Sequence, residues 1–223
     1  MEEYWEGPLY KDREEAGRVL AEKLQSYGKD RPVVMAIPNG GVSVGVPIAR
    51  GLRCPLHLII VRKLQIPDNL EAGFGSVASD GSLLLNEALV LRLGLTEETI
   101  AEQKQKALQS IRTRMAQYGD FAKFPNLKGR IVILIDDGLA SGLSMEAAVM
   151  VVQRHEPAEV VVAVPTSSMS AFRRLSPLVD RVICPNVSRL PIFAVADAYK
   201  IWRDLDDAEV MSLLAKSGAG KGK

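Results

Sequence analysis

Residues 131 to 144 read Ile-Val-Ile-Leu-Ile-Asp-Asp-Gly-Leu-Ala-Ser-Gly-Leu-Ser, and the remainder of the chain is best read outward from them. Five unbroken apolar residues, Ile131 to Ile135, suit a strand buried on both faces of a parallel sheet. Asp136 and Asp137 leave that strand at its C-terminal edge. Small residues then open a helix over Leu143 to Arg154, whose first backbone N–H groups lack intrahelical acceptors. Carboxylates and an anion hole thus stand side by side, at the edge where open α/β sheets take their ligands. The carboxylates of Asp136 and Asp137 can accept hydrogen bonds from a diol. Ser141, Ser144 and the N–H groups of Ala140, Ser141, Gly142, Leu143 and Ser144 can hold a phosphate. A sugar phosphate satisfies both demands, whereas a solvated acidic turn explains neither the paired aspartates nor the run of small residues.

Four further runs of Val, Ile and Leu do not alternate with polar residues: Val33 to Ile37, Leu58 to Val61, Val160 to Val164 and Val179 to Ile183. Helical signals separate most of them. Asp12 to Tyr27 has Asp12 as N-cap, Glu14 and Glu15 in its first turn and Gly28 as a stop. Val42 to Arg50 and Ser170 to Leu175 are further candidates. The expectation is an α/β fold with a largely parallel five-stranded sheet flanked by helices. Residues 64–128 interrupt this rhythm as an insertion. Gly73 to Ala78 and Leu83 to Leu85, joined through Asp80-Gly81, predict a hairpin. Asn86 and Thr96 predict N-caps, the second for a long helix ending near Tyr118.

The 223 residues, 47% hydrophobic and 25% charged, describe an ordinary globular chain. We expect one domain over residues 1–215 and a disordered tail over 216–223, KSGAGKGK, whose GKGK lacks the spacing of a phosphate loop. Lys and Arg total 28 against 27 Asp and Glu, so no long-range field favours nucleic acid or an anionic membrane. No apolar run reaches the ~18 residues that span a bilayer. The acidic start MEEYWEGPLY lacks a basic region before an apolar stretch, and a cytoplasmic protein is expected. Cys54, Cys184, His57 and His155 form no soft-ligand cluster of the kind zinc needs.

Ile131 to Ser144 resembles the phosphoribosyl pyrophosphate (PRPP) motif of type I phosphoribosyltransferases. Pro38-Asn39-Gly40-Gly41, Val61-Arg62-Lys63, Gly75-Ser76-Val77-Ala78 and Leu85-Asn86-Glu87 extend the likeness to a poorly characterised bacterial group. The resemblance implies a Mg²⁺-dependent transfer of phosphoribose from PRPP to a nitrogen acceptor, most naturally a nucleobase, with release of pyrophosphate, in nucleotide metabolism. By the same resemblance, Asp136 and Asp137 bind ribose hydroxyls, act in catalysis and meet the metal indirectly, and residues 140–144 bind the 5-phosphate. Asn39, Gly40 and Gly41 form the pyrophosphate loop. Arg62 and Lys63 meet the pyrophosphate or flank a mobile loop over Leu64 to Ala72, with a turn at Pro67-Asp68-Asn69. A hood over residues 185–203, holding Phe193, Tyr199 and Trp202, closes on the acceptor. A homodimer is compatible with the resemblance, and no nucleic-acid or membrane partner is implied. Asn39 departs from the pattern, since close relatives carry Arg there and Asn cannot neutralise diphosphate charge.

Two rivals share the sequence. Loss of catalysis, as Asn39 permits, would leave a PRPP- or nucleotide-binding regulator. Gly41-Val-Ser43-Val-Gly45 fits the nucleophile elbow of α/β-hydrolases. That reading needs a histidine at the C-terminal sheet edge, yet His57 precedes its strand and His155 ends a helix about 18 Å from its start. Gly73 to Ala78 also fits G-x-G-x-x-A but does not open a helix.

Overall fold

A computed structural model describes residues 7–67 and 69–217. In chain order its main elements are α1 (Arg13–Lys23), β1 (Val33–Ala36), α2 (Gly40–Leu52), β2 (Leu56–Leu58), β3 (Val61–Ile66), β4 (Asn69–Ala78) and β5 (Leu83–Leu85). There follow α3 (Glu87–Leu93), α4 (Glu97–Tyr118), β6 (Ile131–Ile135), α5 (Leu143–Gln153), β7 (Glu159–Ala163) and β8 (Thr166–Ser168). The chain continues through α6 (Met169–Leu175), β9 (Arg181–Ile183), β10 (Asn186–Ser188) and α7 (Asp207–Ser217).

Five strands form an all-parallel sheet in the order β2-β1-β6-β7-β9. Alternate residues of its apolar strands enter two different cores, as a period of two requires. Val33, Met35, Val132, Leu134, Val160 and Val162 pack with α5 and α6 residues such as Met145, Val149 and Leu175. Val34, Ala36, Ile133, Ile135, Val161 and Ala163 pack with Leu20 of α1, Val44 and Ile48 of α2, and Leu214 of α7. The expected five-stranded α/β sheet is therefore present, and both faces are covered. No helix among the described residues is long and apolar enough to cross a membrane.

Connections leave β1 toward β2 on one side and β6 toward β7 on the other, so the order reverses between β1 and β6. In-register pairing from Val33 opposite Val132 to Ala36 opposite Ile135 ends both strands at one level, and Ile37 N–H donates to the Ile135 carbonyl at 2.9 Å. That places the loops after β1 and β6 side by side at the crevice where such sheets bind ligands.

Local caps follow the sequence closely. Asp12 Oδ1 accepts from Glu15 N at 2.9 Å, Asn86 caps α3, and Thr96 caps α4, which stops at Gly119. The hairpin pairing of β4 with β5 also forms.

Several expectations need correction. The second sheet strand is Leu56–Leu58 and not Leu58 to Val61, because Val61 already pairs with Ala78 in the hairpin; an apolar run does not mark where a chain changes sheets. Gly28 does not stop α1, which caps at Leu24 before a 3-10 turn over Gln25–Asp30 held by buried Tyr27. The anticipated loop over 64–72 is mostly β3 paired with β4, where Gln65 faces Gly73 and Ile66 faces Asn69. Asp68, within the expected turn, lies outside the described residues. Helix α7 went unanticipated and carries Lys216, so the supposed tail begins inside a helix whose Val210 and Leu214 are buried. Residues 218–223 lie outside the described residues.

Close packing of α1 on α2 sets one sharp constraint. A Cβ at Gly17 would fall 2.5 Å from the Val44 carbonyl oxygen, a backbone atom that cannot swing aside. Alanine for glycine within a helix ordinarily stabilises by roughly 0.5 to 1 kcal/mol. Gly17→Ala should instead destabilise by about 1 to 3 kcal/mol, read as a lowered urea midpoint; a raised midpoint would show that the helices can separate freely.

Candidate functional site

Glycine is required where the two loops meet. A Cβ at Gly40 would lie 1.9 Å from Asp137 Oδ2, and one at Gly41 would lie 2.9 Å from the Ile135 carbonyl oxygen. The turn Pro38 to Gly41 therefore touches the acid pair with bare backbone. The Pro38–Asn39 peptide is cis.

The β6 loop is anchored on its other side. Leu139 N–H donates to Thr166 O at 3.0 Å, and Ser168 N–H donates to Leu139 O at 2.9 Å. Ser168 Oγ donates to the Ala140 carbonyl at 2.6 Å. With those carbonyls engaged, the chain turns into α5. Leu143 N–H reaches Ser141 Oγ at 3.4 Å, while the amides of Ala140, Ser141, Gly142 and Ser144 find no backbone acceptor among the described residues. They are the orphan donors that the small-residue run predicts at a helix start.

Asp136 and Asp137 are half-buried. Asp136 Oδ1 accepts from Asp137 N at 2.9 Å. Burial and the adjacent Asp137 charge push the Asp136 carboxyl well above the usual carboxylate range. Burial also raises Asp137, against the opposing pull of a cation. That cation is Arg13, whose Nε donates to Asp137 Oδ2 at 2.7 Å, with the two side chains only 9% and 15% exposed. Arg13 Nη1 donates to the Arg203 carbonyl at 2.8 Å, and its guanidinium lies 3.8 Å from the centre of the Trp202 ring. Tyr199 Oη donates to the Asp137 carbonyl at 2.6 Å.

A second network holds Asn39. Its Nδ2 donates to Leu205 O at 2.6 Å and Asp207 Oδ1 at 3.1 Å. Its Oδ1 accepts from the Arg114 guanidinium and from Tyr118 Oη at 3.3 Å. Arg114 also pairs with Asp207 at 3.3 Å, and Tyr118 Oη donates to Asp207 Oδ1 at 2.7 Å. The Asn39 side chain is thus fully engaged, and a cation from α4 stands beside the loop.

Of the residues singled out in the sequence, the structure gathers Asn39, Gly40, Gly41, Asp136, Asp137 and the helix start at 140–144. Arg62 lies in β3, where its Nε donates to Ser110 Oγ of α4 at 3.1 Å, and Lys63 is exposed opposite Ser76. Of the hood aromatics, Tyr199 is buried, Phe193 is partly buried and Trp202 is 38% exposed. Val195 lies over the β6 loop, 2.5 Å from where a Cβ of Gly138 would be. Ser43 is in α2 and lines a cavity without a histidine; His155 packs on Phe124 at 4.5 Å. Arg13, Arg114, Tyr118 and Asp207 went unrecognised in the sequence, where each looks like an ordinary polar helix residue.

A sequence profile described as "Phosphoribosyl transferase domain" matches residues 9–198. The chain belongs to this family. It is 32% identical over 209 residues to proteins named "Putative phosphoribosyl transferase" from two Mycobacterium tuberculosis strains, H37Rv and CDC 1551 / Oshkosh, covering 94% of this chain. It spans about half the length of those relatives, 47% of each. A Thermus thermophilus protein of known crystal structure is 34% identical, with a TM-score of 0.76 over 95% of this chain and 99% of that one. The matched residues include both loops of the crevice, after β1 and after β6.

The Arg13–Asp137 pair yields a pH-dependent expectation. Arg13→Met leaves the Asp137 carboxyl, already raised by burial, with a still higher folded-state pKa. A carboxyl raised above its unfolded value stabilises the fold at low pH and loses that contribution as pH climbs through the folded pKa. The deficit relative to wild type should be small near pH 4 and approach about 3 kcal/mol at pH 8. Thermal melts across that range decide it; a constant deficit would implicate lost Trp202 packing and not charge.

Proposed function

We propose that the chain transfers the 5-phosphoribosyl group from PRPP to a nitrogen acceptor, a nucleobase, releasing pyrophosphate. The observation that carries this reading is the contact of two carboxylates with two sets of unpaired or bare backbone, one after β1 and one after β6. In this reading the amides and hydroxyls of residues 140–144 hold the 5-phosphate. Asp136 and Asp137 accept from the ribose hydroxyls, the Arg13 charge opposing the rise that burial imposes on Asp137 while leaving its Oδ1 for a hydroxyl or an acceptor N–H. The turn at Asn39, Gly40 and Gly41 holds the pyrophosphate, with Arg62 and Lys63 on the hairpin at its flank. Residues 1–215 act as one domain, working in the cytoplasm, and the 185–203 segment closes over the acceptor.

Bond formation from the acceptor nitrogen to C1 accompanies cleavage of the C1–O bond to pyrophosphate. Protein groups contribute by alignment and by stabilising charge on the leaving diphosphate. Mg²⁺ fits the donor set as a loosely held ion. No group of three or more His, Cys, Asp or Glu residues among the described ones could cage a metal, while Asp136 and Asp137 keep carboxylate oxygens free of Arg13 for indirect contact. Such an ion would neutralise diphosphate charge.

Arg114 bears on the objection raised by Asn39. A guanidinium from α4, bonded to the Asn39 side chain and paired with Asp207 at 3.3 Å, stands where position 39 lacks a charge.

PRPP with Mg²⁺ should raise the melting temperature, and Asp136→Asn with Asp137→Asn should abolish most of that shift. An unaltered shift in the double variant would remove the acid pair from the site. Pyrophosphate release with a panel of nucleobases identifies the acceptor, and binding without release would favour the regulator. Arg114→Gln should weaken pyrophosphate and PRPP about tenfold, one charge-assisted contact. Ribose 5-phosphate, which lacks the diphosphate, should bind as before. Equal weakening of all three would place Arg114 in a general structural role.

A further inference from the structure

A cavity of about 410 Å³ opens between α1, α2, α7 and the irregular strap of residues 199–206 that precedes α7. The carboxylates and loop residues that would touch PRPP do not line it, although Arg13, which pairs with Asp137, and Ile201 and Arg203 of the 185–203 segment do. Its volume is that of a small-molecule pocket. Val46 and Pro47 of α2, Leu205 of the strap and Leu213 of α7 give it an apolar wall.

Its charge is one-sided. Arg13, Arg50, Arg203 and Lys216 line it, against Asp12 and Glu14. Both carboxylates are already engaged, Asp12 as the cap of α1 and Glu14 with Arg18 at 2.7 Å. Arg203 is neutralised by Glu209 at 2.5 Å. Arg50 donates only to a carbonyl, that of Lys216 at 2.9 Å, and neither Arg50 nor Lys216 has a carboxylate partner among the described residues. Arg13 spends Nε on Asp137 and Nη1 on Arg203 O; its Nη2 makes no hydrogen bond among the described residues. A buried guanidinium with a spare donor and two uncompensated cations therefore face one apolar-walled space, in a chain whose net charge is only +1.

We infer that this cavity is a second ligand site, for a small organic phosphate with an apolar or aromatic body. A dianion matches the two uncompensated cations, with Arg13 Nη2 as the inner donor. The body packs against Val46, Pro47 and Leu213. Because Arg13 is shared with Asp137, occupancy of the cavity and of the acid pair influence each other by one reciprocal factor. The inference does not depend on the transferase reading, since it stands on the cavity alone.

Trp202 makes the test local, because its ring centre lies 3.8 Å from the Arg13 guanidinium carbon. In a Trp5→Phe background it is the sole tryptophan of the chain. Phenyl phosphate should change its fluorescence saturably, and phenol should not. Arg50→Gln and Lys216→Gln, on two different helices, should each weaken that binding about tenfold, with circular dichroism verifying the fold. Ser141→Ala with Ser144→Ala, in the β6 loop, should leave it unchanged. Three results overturn the site: no saturation at millimolar phenyl phosphate, affinity indifferent to Arg50→Gln and Lys216→Gln, or a signal lost in the Ser141/Ser144 double variant. The last would mean that phosphate sits at the β6 loop and reaches Trp202 through Asp137 and Arg13.

Discussion

Everything at the crevice depends on the parallel pairing of β1 with β6. Their register ends both strands at the same level, so their loops must share one small volume. Only glycine fits where they touch, since a Cβ at Gly40 would overlap Asp137 Oδ2 at 1.9 Å. Bare backbone on one side and carboxylates on the other is the chemical consequence. The same geometry leaves the α5 amides pointing outward, because Thr166 and Ser168 have already tied down the Leu139 and Ala140 segment.

Two adjacent carboxylates in a crevice repel one another, and burial makes both harder to ionise. The Arg13 charge eases this for both, but only Asp137 hydrogen-bonds to it, which differentiates two residues identical in the sequence. Arg13 is itself held by the Arg203 carbonyl and by Trp202, so α1 and the strap before α7 become part of the acid pair's support. The Asn39 network does the corresponding work at the other loop, joining α4 and α7 through Arg114, Tyr118 and Asp207. The helices outside the central sheet thus brace the two loops from behind. The family match over residues 9–198 ends before Arg203, Leu205 and Asp207, which belong to this bracing.

The expectation for residues 64–72 failed instructively. Pro67, Asp68 and Asn69 marked a turn, and the family resemblance implied a loop around it. In the structure β3 and β4 pair with register shifts near Leu64 to Ile66, and such irregularity erases the period of two on which strand recognition depends. Helix α7 is not marked locally for a different reason: burial of its Val210 and Leu214 depends on α2, a neighbour far away in the chain.

The sequence alone determined the strand–acid–small-residue–helix unit over 131–144, the five apolar runs and the caps at Asp12, Asn86 and Thr96. These are legible because each is a local matter: a hydrogen bond within a few residues, or a burial requirement written as composition. It also determined that Asp136 and Asp137 share one strand end. Tertiary structure alone decided that Arg13 pairs with Asp137 across 124 positions, that Asn39 meets Arg114 across 75, and that Arg62 turns to Ser110. No short-range pattern encodes such pairs, because an arginine on a helix surface has the same local sequence whether it faces water or a carboxylate. Its partner is chosen by helix packing, which depends on the whole chain at once.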